Sequence, residues 1–234
     1  MKRFYKEVST APAEGGFAVL LDDKPVKTPG RNGLTLPTSG LAEAVAREWR
    51  EQDQEILAAT MPLLRLVNTV IDGVMANRAE VVKAVLSFGE NDLVCYRTHQ
   101  PPELLARQRQ GWDRWLDWVR QRHGVHLRVV LGLNPVDQSQ DALLGLRQAI
   151  EEFDDFCLGA LHVIVSITGS LVLGLAVAEG VLKGGEAFQL SRIDEIYQAE
   201  KWGEDDQAAK RSQALARELD KAVELIALVD AKGF

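Results

Sequence analysis

Residues 158–182 read LGALHVIVSITGSLVLGLAVAEGVL, the most apolar segment of the chain, with no Lys or Arg. The segment is long enough to cross a bilayer. Its content argues against that use. His162, Ser166, Thr168, Gly169 and Ser170 interrupt it, and no Trp/Tyr belt or basic flank marks its ends. Glu151, Glu152, Asp154 and Asp155 precede it. A helix apolar on all sides is stable in water only when other helices surround it. The stretch therefore reads as a buried central helix of a helical domain, with no stable membrane insertion.

The neighbouring segments supply the surrounding helices. Thr38 or Ser39 can cap a helix with Leu41, Val45 and Trp49 on one side and Glu43, Arg47, Glu48 and Arg50 on its wet side. Thr60 is a candidate cap for a helix opened by Pro62, with Leu63, Val67, Val70 and Val74 as its stripe. Val81, Val85 and Phe88 mark the next helix. Pro101-Pro102 precedes a strongly amphipathic one ending at Gly124, with Trp112 and Trp115 inward and Trp118 turned towards solvent. Leu143, Leu146, Ile150, Phe153 and Cys157 keep helical spacing. Lys183-Gly184-Gly185 reads as a linker. A helix to Trp202 follows, with Gly203 as its stop. The final helix carries Leu215, Leu219, Ala222, Ile226 and Val229, a seam more typical of bundle core than of a dimer zipper.

The start of the chain has another period. RFYKEVS alternates, FAVLL is a compact strand, and Glu14-Gly15-Gly16, Asp22-Asp23, Pro29-Gly30 and Asn32-Gly33 are turns. The fold class expected is α+β: a small N-terminal β domain over 1–37 and a larger, mainly helical domain over 38–234.

Bulk numbers narrow the function. The chain has 234 residues, 46% hydrophobic and 26% charged, which fits a globular protein with a sizeable core. A net charge of −7 disfavours a nucleic-acid partner held through phosphates. Cys95 and Cys157 sit in apolar surroundings and read as small buried hydrophobes. His123-Gly124-Val125-His126 is too sparse for a metal site, no paired Glu-x-x-His segments occur, and no GxSxG, P-loop or GxGxxG is present. Neither catalytic residues nor cofactors are expected. The arginines around Trp118 read as a solvated face, with a partner surface as the alternative.

One junction stands out. Glu200, Trp202, Glu204, Asp205 and Asp206 gather negative charge and an aromatic between two helices. Asp205 or Asp206 can cap the last helix, where the macrodipole favours acids. The same acids can meet a basic partner. Both readings stand.

Several segments resemble the Atp12 family, assembly chaperones of the F1 sector of ATP synthase. They are RFYKEV, GGFAVLLDDKPVKTP, LTLPTSGLAEAVAREW, TMPLLRLVNTVID, NDLVCYR, ITGSLVLGLA and LSRIDEIYQAEKWGEDDQA, in family order over nearly the whole chain. The resemblance implies a non-enzymatic chaperone. Such a protein binds the free F1 α subunit and shields its interface with β until the α3β3 ring forms. It also implies that the family's sensitive acidic position falls in WGEDD, with Glu204 the first choice and Asp205 or Asp206 close behind. Glu200 and Trp202 complete the expected partner-binding set. A chaperone masking one interface can work as a monomer, and a monomer is expected. MKRFYKEVST contains no secretory h-region. The expectation is a bacterial cytoplasmic protein, or a mitochondrial matrix one whose presequence has been removed. The alternative function is a helical metal-dependent enzyme using the acids and histidines around a cleft.

Overall fold

A computed structural model of the chain describes residues 1–132, 134–135, 137–203 and 205–229. The architecture is α+β, a small sheet followed by helices. The chain divides into two compact units. One comprises Met1–Arg78, Asp155–Ala160 and Glu224–Phe234, the other Ala79–Asp154 and Leu161–Val223.

The first unit begins with strands β1 (Val8–Ala13), β2 (Gly16–Leu21), β3 (Lys24–Pro25) and β4 (Thr35–Leu36). All pairings are antiparallel, with β2 central between β1 and the short β3 and β4. Asp22 and Asp23 both have positive φ, 46° and 63°, as a tight two-residue hairpin turn requires. The Asp22 carboxylate accepts the N–H groups of Glu7 and Lys6, each at 2.9 Å, and these bonds hold its pKa below the usual carboxylate range. Val19, Leu21 and Leu36 are buried, and helix α1 (Ser39–Arg50) packs on the sheet. Thr38 is the cap of α1, accepting from Leu41 N–H at 3.1 Å, and its hydroxyl donates to Leu228 O at 2.6 Å.

Helix α2 (Pro62–Thr69) continues into a wider π turn over Val70–Val74. Pro62 occupies its first turn as expected, but Thr60 is not its cap. That task falls to Glu48, which is only 9% exposed rather than on a wet face. Its two carboxylate oxygens accept Leu63 N–H and Leu64 N–H, each at 2.8 Å. Burial of the carboxylate is tolerated because it satisfies donors that a helix start leaves unpaired. Within this unit Gly159 approaches α2 so closely that a Cβ there would meet Val70 at 2.5 Å.

The second unit contains helices α3 (Arg78–Glu90, from Ala79 on), α4 (Pro102–His123) and α5 (Gln140–Glu151). It also has the two-stranded parallel pair β5 (Tyr96–Arg97) and β6 (Val130–Leu131). Gly124, at φ 69°, ends α4 as the sequence indicates. The apolar stretch is buried as expected, but it forms two helices. Helix α6 (Asp155–Thr168) stops at Gly169, whose φ is 67°, and α7 (Leu171–Ala178) starts anew with Ser170 as its cap. All eight residues of α7 are buried. The unit closes with α8 (Gly184–Ser191), α9 (Ile193–Trp202) and α10 (Asp206–Val229) as far as Val223.

Gly184-Gly185 is therefore no linker but the first turn of α8. A Cβ on Gly184 would meet Val223 at 2.8 Å and Leu219 at 2.9 Å, so its bareness permits α8 and α10 to touch. The single helix expected up to Trp202 is broken at Arg192 into α8 and α9.

Candidate functional site

The end of α9 is held by a small brace against the first turns of α4. Tyr197 is buried on α9, and its hydroxyl lies 3.3 Å from Glu103 Oε2 on α4. Lys201 Nζ sits 3.1 Å from the same Glu103 oxygen and 5.3 Å from the centre of the Tyr197 ring. Arg107, one turn along α4, covers that ring at 5.2 Å and bonds Glu200 Oε2 at 2.7 Å. Each charge shifts its partner. Lys201 draws the Glu103 carboxyl below its ordinary pKa, and Arg107 does the same to Glu200; Lys201 and Arg107 are raised in turn by Glu103 and Glu200. These pairs are solvent-exposed, so they fix geometry more than they stabilise the fold.

Just beyond the brace, Trp202 is 79% exposed, an unusual position for the largest apolar side chain. Gly203 ends α9, donating its N–H to Ala199 O at 2.9 Å with φ at 91°, where a Cβ would be strained. Asp205 then starts α10. Its carboxylate accepts from Gln207 N–H and Ala208 N–H, each at 3.3 Å. The capping reading of Asp205 is thus realised. Asp206 is exposed in the first turn of α10. Glu204, the first choice among the acids, lies outside the described residues. Glu200, Trp202, Asp205 and Asp206 share one helix junction, and Glu200 is engaged by Arg107.

Sequence reading missed the brace. Glu103 and Arg107 lie more than ninety residues from their partners on α9, and no local pattern signals such a pairing. A second link of this kind runs through Gln108, whose amide accepts from Thr98 N–H and donates to Asp194 Oδ1, both at 2.8 Å.

The other candidates resolve into internal contacts. On α4, Arg107, Arg114, Arg120 and Arg122 pair with Glu200, Glu186, Asp117 and Glu179. Trp112 and Trp115 are buried as expected, while Trp118 is half-buried, edge-on to Trp115 and His123. His123 Nε2 lies 2.6 Å from Glu179 Oε1. Burial lowers the pKa of His162. Cys95 and Cys157 are buried free thiols, with burial raising the pKa of Cys95. Among the described residues no three His, Cys, Asp or Glu side chains are placed to hold a metal, and no helix is long and apolar enough to cross a membrane.

Residues 2–120 match the model of the family described as ATP12 chaperone protein. The chain belongs to the ATP12 chaperone family. Its role is therefore in assembly of the F1 ATP synthase. The fold agrees along its whole length. Crystal structures of Atp12 from Paracoccus denitrificans, one of them an Asp-to-Lys point mutant, share 38% identity with this ATP12 chain. The mutant superimposes with a TM-score of 0.95 over 97% of each chain. The other gives 0.94 over 97% of this chain and 98% of that one. The mitochondrial protein atp12 of Schizosaccharomyces pombe is 23% identical over 214 residues, which cover 86% of this chain and 74% of the relative.

Proposed function

We propose that this ATP12 chaperone holds the free F1 α subunit through the α9–α10 junction. It shields the α surface that later meets β and yields it as the α3β3 ring closes. The observation that carries this reading is Trp202. It stands almost fully in solvent at the end of a helix whose neighbouring charges, Glu200 and Lys201, are already neutralised within the chain. Exposed aromatics on a braced element make good anchors, because little ordering entropy is lost when they are buried. Asp205 and Asp206 add negative charge beside the anchor, suited to orienting a client with a basic rim. Asp205 serves the cap and the charge together.

Shielding is a binding task, and the reading assigns the chain no catalytic step or cofactor. One interface masks one client, so the chaperone acts as a monomer. The bacterial cytoplasm is the proposed compartment, supported by the 38% identity to bacterial Atp12. The test is co-expression with the F1 α subunit. The wild-type chain keeps α soluble and co-purifies with it, and Trp202→Ala does not. A folded Trp202→Ala protein that retains α at the wild-type level overturns the assignment of the site.

A further inference from the structure

A second surface, on the first unit, has the features of a docking edge. Residues 1–3 and 54–56 run antiparallel: Arg3 N–H donates to Gln54 O at 2.9 Å, and Ile56 N–H donates to Met1 O at 2.7 Å. Lys2 and Glu55 face each other between those two bonds. In such a pair the backbone groups of both residues point outward. The N–H and C=O of Glu55 therefore face away from the N-terminal segment, and among the described residues neither is bonded. An edge of this kind is a template for another strand.

A groove runs beside that edge. It is lined by Glu51, Asp53, Glu55, Leu57 and Thr60 around Gln52. Gln52 is buried and fixes the loop: its amide oxygen accepts Leu57 N–H at 2.8 Å, and its amide nitrogen donates to Glu48 O and Thr60 Oγ1, each at 3.0 Å. The groove is thus preformed. Three large apolar side chains lie on the same two segments or directly after them, with Met1 74%, Phe4 65% and Leu57 53% exposed. Among the described residues no Lys or Arg forms an ion pair with Glu51, Asp53 or Glu55. Lys2, across the strand pair from Glu55, is the nearby cation.

We infer that the Glu55 edge receives an extended segment of a partner protein in which Lys or Arg alternates with apolar residues. Its backbone bonds the outward N–H and C=O of Glu55. Its cations meet Glu51, Asp53 and Glu55, and its apolar row covers the exposed Leu57, Met1 and Phe4. A strand's period of two delivers both chemistries at once. This surface is separate from the junction around Trp202 and does not depend on that assignment.

The experiment uses the full-length chain and a fluorescent peptide alternating Lys and Val, read by anisotropy. Controls are an alternating Glu-Val peptide and an oligolysine of equal charge. The Lys-Val peptide binds, loses affinity with salt, and slows hydrogen exchange at the Glu55 amide. The triple variant E51Q/D53N/E55Q weakens it about tenfold or more, as three lost surface charge pairs imply. Leu57→Ser, which leaves every carboxylate in place, weakens it too. Trp202→Ala binds it as the wild type does. Oligolysine or Glu-Val binding as tightly, unchanged exchange at Glu55, undiminished binding by a folded triple variant, or loss of binding in Trp202→Ala would each overturn the inference. The last result would move the peptide to the α9–α10 junction.

Discussion

Asp92 Oδ2 accepts the backbone N–H of Val172 at 2.9 Å, while its Oδ1 accepts Val94 N–H at 3.1 Å. One fully buried carboxylate thereby joins the Leu93–Cys95 turn to the first turn of α7. Burial raises its pKa and the hydrogen bonds from Ser170, Val172, Val94 and Leu171 lower it; burial prevails, leaving a pKa of about 6.

The raised value sets a direction for stability. The native carboxyl holds its proton up to about pH 6, whereas an unfolded aspartate releases it near pH 4. The contribution of Asp92 is therefore full below about pH 4 and declines as pH rises through 6, by about 3 kcal/mol in all. Asp92→Asn removes the titration. Urea unfolding of both proteins across this range is expected to show the wild-type-minus-variant difference falling with pH. A difference that is flat or rises with pH contradicts the assignment.

Glu48 yields a prediction on stability alone. Helix α2 has no side-chain cap of its own, and the buried Glu48 carboxylate supplies both acceptors. Glu48→Ala leaves two buried N–H groups unpaired and costs about 2–4 kcal/mol. Glu48→Gln, which keeps one acceptor oxygen, costs less. Denaturant unfolding gives both numbers, and an Ala variant as stable as the Gln variant would show that the bonds contribute nothing.

Asp205 separates the capping role from the client role. Asn caps a helix about as well as Asp, and Ala loses about 1 kcal/mol. Asp205→Asn is expected to leave Tm unchanged while weakening capture of the F1 α subunit through the lost charge. Asp205→Ala lowers both. Thermal unfolding alongside co-purification reads the two effects apart, and full capture by the Asn variant would restrict Asp205 to the cap.

Local chemistry was legible wherever it was decided locally. The hairpin at Asp22-Asp23, the caps at Thr38 and Asp205, and the helix stops at Gly124 and Gly203 are all written in neighbouring residues. The burial of the 158–182 stretch followed from its composition. Its break did not, because Gly169 and Ser170 also suit close helix contact, and their role depends on the positive φ and the new cap. Glu48 looked like surface by helical period and became a buried cap, since the donors it satisfies lie fifteen and sixteen residues away. Gly184 looked like a linker because the side chains it makes room for, Leu219 and Val223, are distant in sequence. The junction residues 202–206 stood out by charge and by Trp202. The Glu103, Arg107 and Tyr197 brace that fixes them spans two helices and left no local trace.

The central claim is that Trp202 anchors the client. Its most direct measurement is the affinity of the purified chain for the F1 α subunit, compared between wild type, Trp202→Ala and Trp202→Phe with Tm recorded for each. Because the indole is exposed, neither substitution should lower Tm appreciably. The account predicts that Ala weakens binding by about 2 kcal/mol or more, near thirtyfold, and that Phe recovers part of the loss. Equal affinity for all three proteins at equal Tm would contradict it.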